Sequence, residues 1–297
     1  MAFSIPTKRQ KYMTNQKKNA ADTRFIFFGT APLKDSVLRE LEREGYVPAK
    51  IVESAPITPD LTEELRKSKW DFFLVASYGR KIPEELLAMP RRGVVNVHPS
   101  LLPSLRGPSP IRSAILNDQK ETGVSIMLLD NELDHGPIIA QKKVAIPEWP
   151  PRGRALDELL AREGGTLLAT ILPAWLAGEI EARPQNDDLA TYCHAFKKED
   201  GLLDLRADAY QNLLKIRALE GWPGTYTFFE RAGKKIRVGI LDAHIEGNPS
   251  TPFDRAQDKS LRASKLVIDT VKPEGKREMG YEEFLRSGAQ PFNARAS

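Results

Sequence analysis

The feature that most narrows what this chain can fold into is an alternation that begins at Arg24. Short β-rich apolar runs, RFIFFGT, AKIVES, DFFLVAS and GVVNVH, are separated by the amphipathic stretches DSVLRELEREGY, LTEELRKSK and PEELLAM. The intervening stretches carry apolar residues at helical spacing. Strand–helix–strand repeats leave few topologies open, because crossovers between parallel strands are right-handed. The expected first domain is an α/β, doubly wound, mostly parallel, Rossmann-like sheet. Ligands of such sheets lie beyond the carboxyl ends of the strands. The rim so defined holds Gly29–Thr30, Ser77–Tyr78–Gly79 and Asn96–His98. Gly29 stands outside any G-x-G-x-x-G pattern, so the first turn gives no support for a dinucleotide, and relief of a tight turn explains it equally well.

After residue 120, TGVSIMLLD and PIIAQKKVAI read as two more strands joined by the polar turn NELDHG, and a helix over about 155–176 closes the domain. ARPQNDDLA has the composition of a linker. Beyond it, the helical stretch ADAYQNLLKIRAL is followed by TYTFFE, KKIRVGILDA and SKLVIDTV, many short strands that suggest a small barrel or sandwich. GNPSTPFDRAQDKSLRAS reads as a surface loop without an assignable role. At about 100–200 residues per domain, 297 residues accommodate this division: a disordered basic tail 1–23, a catalytic domain 24–182, a linker 183–190 and a second domain 191–297.

Composition matters here mainly for what it excludes. The net charge of +4 tempts assignment as a nucleic-acid binder, but residues 1–24 alone carry +5, six basic side chains against Asp22, and the remainder sums to −1. Within that remainder, residues 25–190 carry −4 and residues 191–297 carry +3. An excess this small is commonly a solvated face; clustering of Lys234, Lys235 and Arg237 with Lys272, Lys276 and Arg277 would strengthen an RNA-binding reading. The tail lacks the apolar core of a secretory signal. The lone Cys193 excludes a disulfide framework and points to a reducing, cytoplasmic setting. No run approaches the ~18 apolar residues of a membrane helix, so no membrane partner is expected.

The densest chemistry lies in NVHPSLLPSLRGPSP. Asn96 and His98 are two apart at a strand end, so their side chains share one face and an amide and an imidazole can converge on one small substrate. A hydrogen-bonded strand-end histidine is the competing reading of the pair alone. Pro99, Pro103, Pro108 and Pro110 then force Ser100–Pro110 into a rigid loop leaving the rim, with Gly107 permitting close backbone approach and Leu101 and Leu102 suited to a flat heterocycle. Asp134, in the later turn, offers a carboxylate to orient His98 and raise its basicity. His135 beside it reads as an exposed turn residue.

NVHPSLLPSLRGPSPI, ETGVSIMLLDNELDHGPI and VASYGRKIPEELLAMP resemble the formyltransferase family that uses 10-formyltetrahydrofolate. RFIFFGTA, KIRALEGWPGTYTFF and VKPEGKREMGYEEFLRSG extend the resemblance over nearly all of the chain after the tail. It implies that Asn96, His98 and Asp134 are catalytic and that Ser100, Leu101, Leu102 and Pro103 contact the folate, with 10-formyltetrahydrofolate as formyl donor and no metal. It also implies an OB-like second domain, a protein acting as a monomer, and the free amino group of initiator methionyl-tRNA as acceptor. An amino-sugar nucleotide as acceptor, or hydrolysis of formyltetrahydrofolate, are the alternatives. One departure bears on the acceptor: the family's long glycine- and lysine-rich loop after the second strand is absent, and ESAPITPDLTEEL passes almost directly to the next helix.

Overall fold

The computed structural model describes residues 19–246 and 265–291. The basic residues of the tail up to Lys18, and the loop expected at 247–264, lie outside the described residues. The described chain divides into two compact units: residues 19–106, 123–144 and 158–191 form one, and residues 107–122, 145–157, 192–246 and 265–291 the other.

The first unit is built on a six-stranded sheet of order β2-β1-β3-β4-β5-β6. Its strands are β1 (Phe25–Gly29), β2 (Lys50–Val52), β3 (Phe72–Ala76), β4 (Val94–His98), β5 (Thr122–Leu128) and β6 (Ile138–Val144). β1 pairs in parallel with both β2 and β3, and β3 with β4, whereas β4 and β5 run antiparallel. Every residue of β1, β3 and β4 is buried, which explains their uninterrupted apolar runs. Alternate residues feed two cores. Phe25, Phe27, Phe72, Leu74, Val95 and Val97 pack in one, with part of helix α5 (Gly153–Ala177); Ile26, Phe28, Phe73, Val75 and Val94 pack in the other. Helices α1 (Leu33–Arg43), α2 (Pro59–Arg66) and α3 (Glu84–Leu87) connect the first four strands as the alternation predicts. Thr58 caps α2, its hydroxyl accepting from the Leu61 amide, and Pro59 occupies the first turn. Only residues 53–58 separate β2 from α2, so the short connection is a property of the fold.

Regular structure is present ahead of Arg24. Ala20–Asp22 form a 3-10 turn, Thr23 is buried with its hydroxyl donating to the Asn19 carbonyl (3.2 Å), and the Arg24 amide donates to Asp71 (2.8 Å). Residues 19–23 of the expected disordered tail are thus folded.

The second unit contains α4 (Pro110–Leu116), α6 (Ala209–Ala218), α7 (Tyr281–Arg286) and a five-stranded sheet of order β10-β9-β8-β7-β11. The strands are β7 (Thr225–Arg231), β8 (Lys234–Glu246), β9 (Lys265–Pro273), β10 (Met279–Gly280) and β11 (Gln290–Pro291), and the pairs are antiparallel. The expected small β domain is present, but among the described residues β10 and β11 are free edges and the barrel does not close. One face packs Phe229, Val238, Ile240, Ile268 and Val271 against Leu203, Ile216 and Phe284. The other carries Tyr226 and Phe228 from β7 and Lys235 and Arg237 from β8. No helix among the described residues is long and apolar enough to cross a membrane.

Candidate active site

At the carboxyl end of β4 the alternation that sends Val95 and Val97 into one core turns Asn96 and His98 to the opposite face. Both are buried, and neither belongs to an apolar cluster. Asn96 lies opposite Met127 and His98 opposite Ser125 in the antiparallel pair with β5. The Asn96 side-chain amide has no hydrogen-bond partner among the described residues, which leaves its two N–H groups unused beside His98.

The loop after β4 turns back on His98. The imidazole Nε2 lies 3.1 Å from the Leu105 carbonyl, and since a carbonyl only accepts, Nε2 carries the proton in this contact. Nδ1 faces Asp134 Oδ2 at 3.7 Å. The spacing rule found Asn96 and His98, and the structure brings Asp134 to the same place from the turn after β5. Burial pushes the His98 pKa below the usual histidine value, outweighing the Asp134 charge and the Leu105 hydrogen bond, which raise it. The expected rise in basicity is therefore overridden by desolvation, and the ring rests neutral at pH 7.

Leu105 (φ 61°) and Asp134 (φ 49°) both adopt the left-handed region, a strain of roughly 1–3 kcal/mol each that persists only where surrounding contacts over-determine it. Those contacts are numerous. The Ser100 hydroxyl donates to the Ser104 carbonyl (2.6 Å), the Ser125 hydroxyl donates to the Ser100 carbonyl (2.6 Å), and the Leu102 amide donates to Ser125 Oγ (3.1 Å). Gln141 donates to the Leu102 carbonyl (2.7 Å) and to Ser125 Oγ (2.8 Å). Gly136 lies so close to the Leu128 carbonyl that a Cβ would overlap it, which fixes how the Asp134 turn leaves the sheet.

The four residues expected to meet the folate divide into two kinds. Ser100 and Leu102 are buried and committed to the loop's own hydrogen bonds and packing, whereas Leu101 and Pro103 are half-buried. An apolar edge on a rigid loop that also holds His98 suits a flat heterocycle whose reactive end must reach the imidazole. Sequence reasoning missed Ser125, Gln141, Arg106 and Gln185, which hold this loop. Arg106 stands within NVHPSLLPSLRGPSPI and Ser125 within ETGVSIMLLDNELDHGPI, but nothing local to Gln141 or Gln185 signals a role. His135 lies in the turn and is half-exposed: Nδ1 lies 2.7 Å from Asp130 and Nε2 3.5 Å from Asp187, and the Asp130 hydrogen bond is the chief cause of its raised pKa. Among the described residues no group of three or more His, Cys, Asp or Glu side chains gathers in a metal-binding arrangement.

The chain is similar to the methionyl-tRNA formyltransferase of Myxococcus xanthus, 38% identical over 80% of this chain and 78% of the relative. In fold it is similar to the methionyl-tRNA formyltransferase of Clostridium thermocellum (TM-score 0.60, 18% identity, 84% of this chain and 98% of that one). It is also similar to HypX of Aquifex aeolicus in complex with tetrahydrofolic acid (TM-score 0.62, 19% identity, 89% of this chain and 46% of that one). Residues 5–168 match the formyl transferase family, and residues 195–288 match the formyl transferase C-terminal domain. With the N-x-H strand end, the loop that follows it and both family regions in one chain, this protein belongs to the formyl transferase family.

Proposed function

We propose that the protein transfers the formyl group of 10-formyltetrahydrofolate to the free amino group of initiator methionyl-tRNA. The observation that carries this reading is the convergence of Asn96, His98 and Asp134 beside a rigid loop with an apolar edge, in a chain 38% identical to a methionyl-tRNA formyltransferase. The folate donor supplies an activated formyl group whose carbon is attacked by the amine. In that attack a carbon–nitrogen bond forms and negative charge builds on the formyl oxygen. Asn96 is the donor to that oxygen, a role worth roughly 3–4 kcal/mol for a single amide in the best-studied oxyanion hole. His98 Nδ1 receives the proton released by the amine, and Asp134 stabilises the resulting imidazolium. The proton then returns to the departing folate nitrogen. Leu101 and Pro103 form the apolar contact for the folate ring, with Ser100 and Leu102 holding that edge in place.

The acceptor is gripped by the region 191–297, with 24–182 as the catalytic domain and 183–190 as the linker between them in sequence. Support comes from the face of the second sheet on which Arg237 lies 3.8 Å from the Tyr226 ring centre and Lys235 4.1 Å from that of Phe228. Exposed cations next to aromatic faces suit a phosphate backbone and its bases. On this reading the enzyme acts as a monomer in the cytoplasm, a reducing compartment that suits a chain with one cysteine and therefore no internal disulfide.

The short 53–58 connection favours a second reading, an amino-sugar nucleotide as acceptor, because a reduced basic grip suits a smaller substrate. Purified protein offered 10-formyltetrahydrofolate with methionyl-initiator tRNA, an amino-sugar nucleotide or water as acceptor decides. Formylation of the tRNA at a rate at least tenfold above the other two is the expected outcome; the reverse order sinks the tRNA reading.

A further inference from the structure

We propose that Gln185 is a positioning residue for His98: its side-chain amide ties together the two loop segments that hold the imidazole. The inference rests on the reading of His98 as proton carrier and adds the element that sets its geometry. His98 is bounded by the Leu105 carbonyl on one side and the Asp134 carboxylate on the other. Neither belongs to a regular element, and both residues have positive φ, so β4 alone does not fix the distance between them.

Gln185 spans that gap. Its Oε1 accepts from Arg106 Nε (3.0 Å) and Nη2 (2.9 Å), next to Leu105 in sequence. Its Nε2 donates to the Asp134 carbonyl (2.8 Å) and the Gly136 carbonyl (2.9 Å). A guanidinium only donates and a carbonyl only accepts, so the amide can sit in just one orientation, with its two donors and two acceptor positions all used. The same segment adds a second tie, because the Leu105 amide donates to Thr191 Oγ1 (2.9 Å) and the Arg106 amide to the Thr191 carbonyl (2.8 Å). Arg106 is 2% exposed and meets Asp187 at 2.7 Å. Asp187 in turn faces His135, whose other nitrogen meets Asp130. Arg106 therefore keeps a charge partner when Gln185 is replaced, while the direct hydrogen bonds to the Asp134 and Gly136 carbonyls go.

Two variants separate positioning from simple support. Gln185→Leu removes all four hydrogen bonds; Gln185→Glu keeps an acceptor for Arg106 and loses both donors to the Asp134 turn. Since a misplacement of about 1 Å can cost on the order of a hundredfold, kcat is expected to fall about 10- to 100-fold in both, with KM for folate and acceptor changed by less than about threefold. The acidic limb of the kcat–pH profile should shift, and the ¹⁵N signals of the His98 ring should lose the pattern of a single Nε2-protonated tautomer. Wild-type kcat and pH profile in the variants, or a loss confined to Tm, overturns the proposal. Should Gln185→Leu fail to fold, the same measurements on Gln185→Glu decide. His98→Ala measured alongside keeps the two readings apart: normal transfer by that variant overturns the proton-carrier reading, whereas an inactive His98→Ala with unperturbed Gln185 variants overturns only the positioning role.

Discussion

At the end of β4 the polar groups are buried and His98 is held between fixed partners, whereas on the face shared by β7 and β8 the cations are exposed and lie over aromatic rings. His98 is 4% exposed, between a carbonyl and a carboxylate. Lys235 and Arg237 project into solvent above Phe228 and Tyr226. The contrast follows from what each surface must recognise. Charge that develops on a reacting atom is stabilised by dipoles already aligned in a water-poor site, where any reorientation would cost rate. A polyanion is gripped by exposed charge that displaces its counterions, and such contacts tolerate disorder in the partner. The first surface should therefore fail steeply when one side chain changes, and the second gradually and in a salt-dependent way.

The steepest failure is expected at the rim. His98→Ala and Asn96→Ala should each lower kcat by roughly 10²–10⁴-fold with Tm little changed, as measured by single-turnover transfer and thermal denaturation. If either variant turns over normally, the rim is no more specialised than the exposed face. Arg237→Ala combined with Lys235→Ala should leave kcat at saturating tRNA unchanged. The double change should raise KM for tRNA by about 3- to 30-fold and flatten the salt dependence of log KM by about two units, one for each phosphate deprived of its cation. A fall in kcat with KM intact would remove the distinction from the other side.

Titration offers a finer test. The His98 pKa is depressed, so the ring stays neutral below the ordinary histidine value of 6.5, and the acidic limb of kcat should lie below that pH. The stability contribution has the same sign. An unfolded chain binds this proton more readily than the folded one, so the contribution is full above the unfolded pKa and is lost as pH falls toward the folded value. Removing the Asp134 charge in Asp134→Asn takes away a raising influence and should move the ring's pKa lower still, read by NMR titration of the His98 signals. The smallest effect is expected at the half-exposed His135. Its raised pKa should drop toward 6.5 in Asp130→Asn with kcat nearly unchanged, since its hydrogen bond to Asp130 is the main cause of the rise.

The fold was legible where a residue's role depends on its neighbours in sequence. FIFF and DFFLVA stand out as short β-rich apolar runs between helical stretches, and they fold as β1 and β3, which are buried throughout. The two-residue spacing of Asn96 and His98 sufficed to put them on one face, because the strand period is fixed by the backbone. Gln185 was hidden by the same logic. It stands in ARPQNDDLA, a stretch with the composition of a linker, and its partners lie 79, 51 and 49 positions away. That the second sheet stays open among the described residues was equally out of reach, since whether β10 and β11 pair is a matter of distant register. Residues 19–23 looked like the end of a polar tail, yet Thr23 is buried beside the first strand, a burial that depends on what the fold places over it.

Local chemistry in the sequence thus determined the alternating strands and helices, the face shared by Asn96 and His98, the proline-stiffened loop that follows them, and the short passage from β2 to α2. Only the tertiary structure decided which way β5 runs beside β4, which turn delivers Asp134, and that Gln185 ties that turn to Arg106. It also decided the direction in which the His98 pKa moves. The carboxylate near the imidazole was foreseeable from residue types, but its influence is outweighed by desolvation, and desolvation is the sum of everything packed around the ring rather than a property of any segment that contains it.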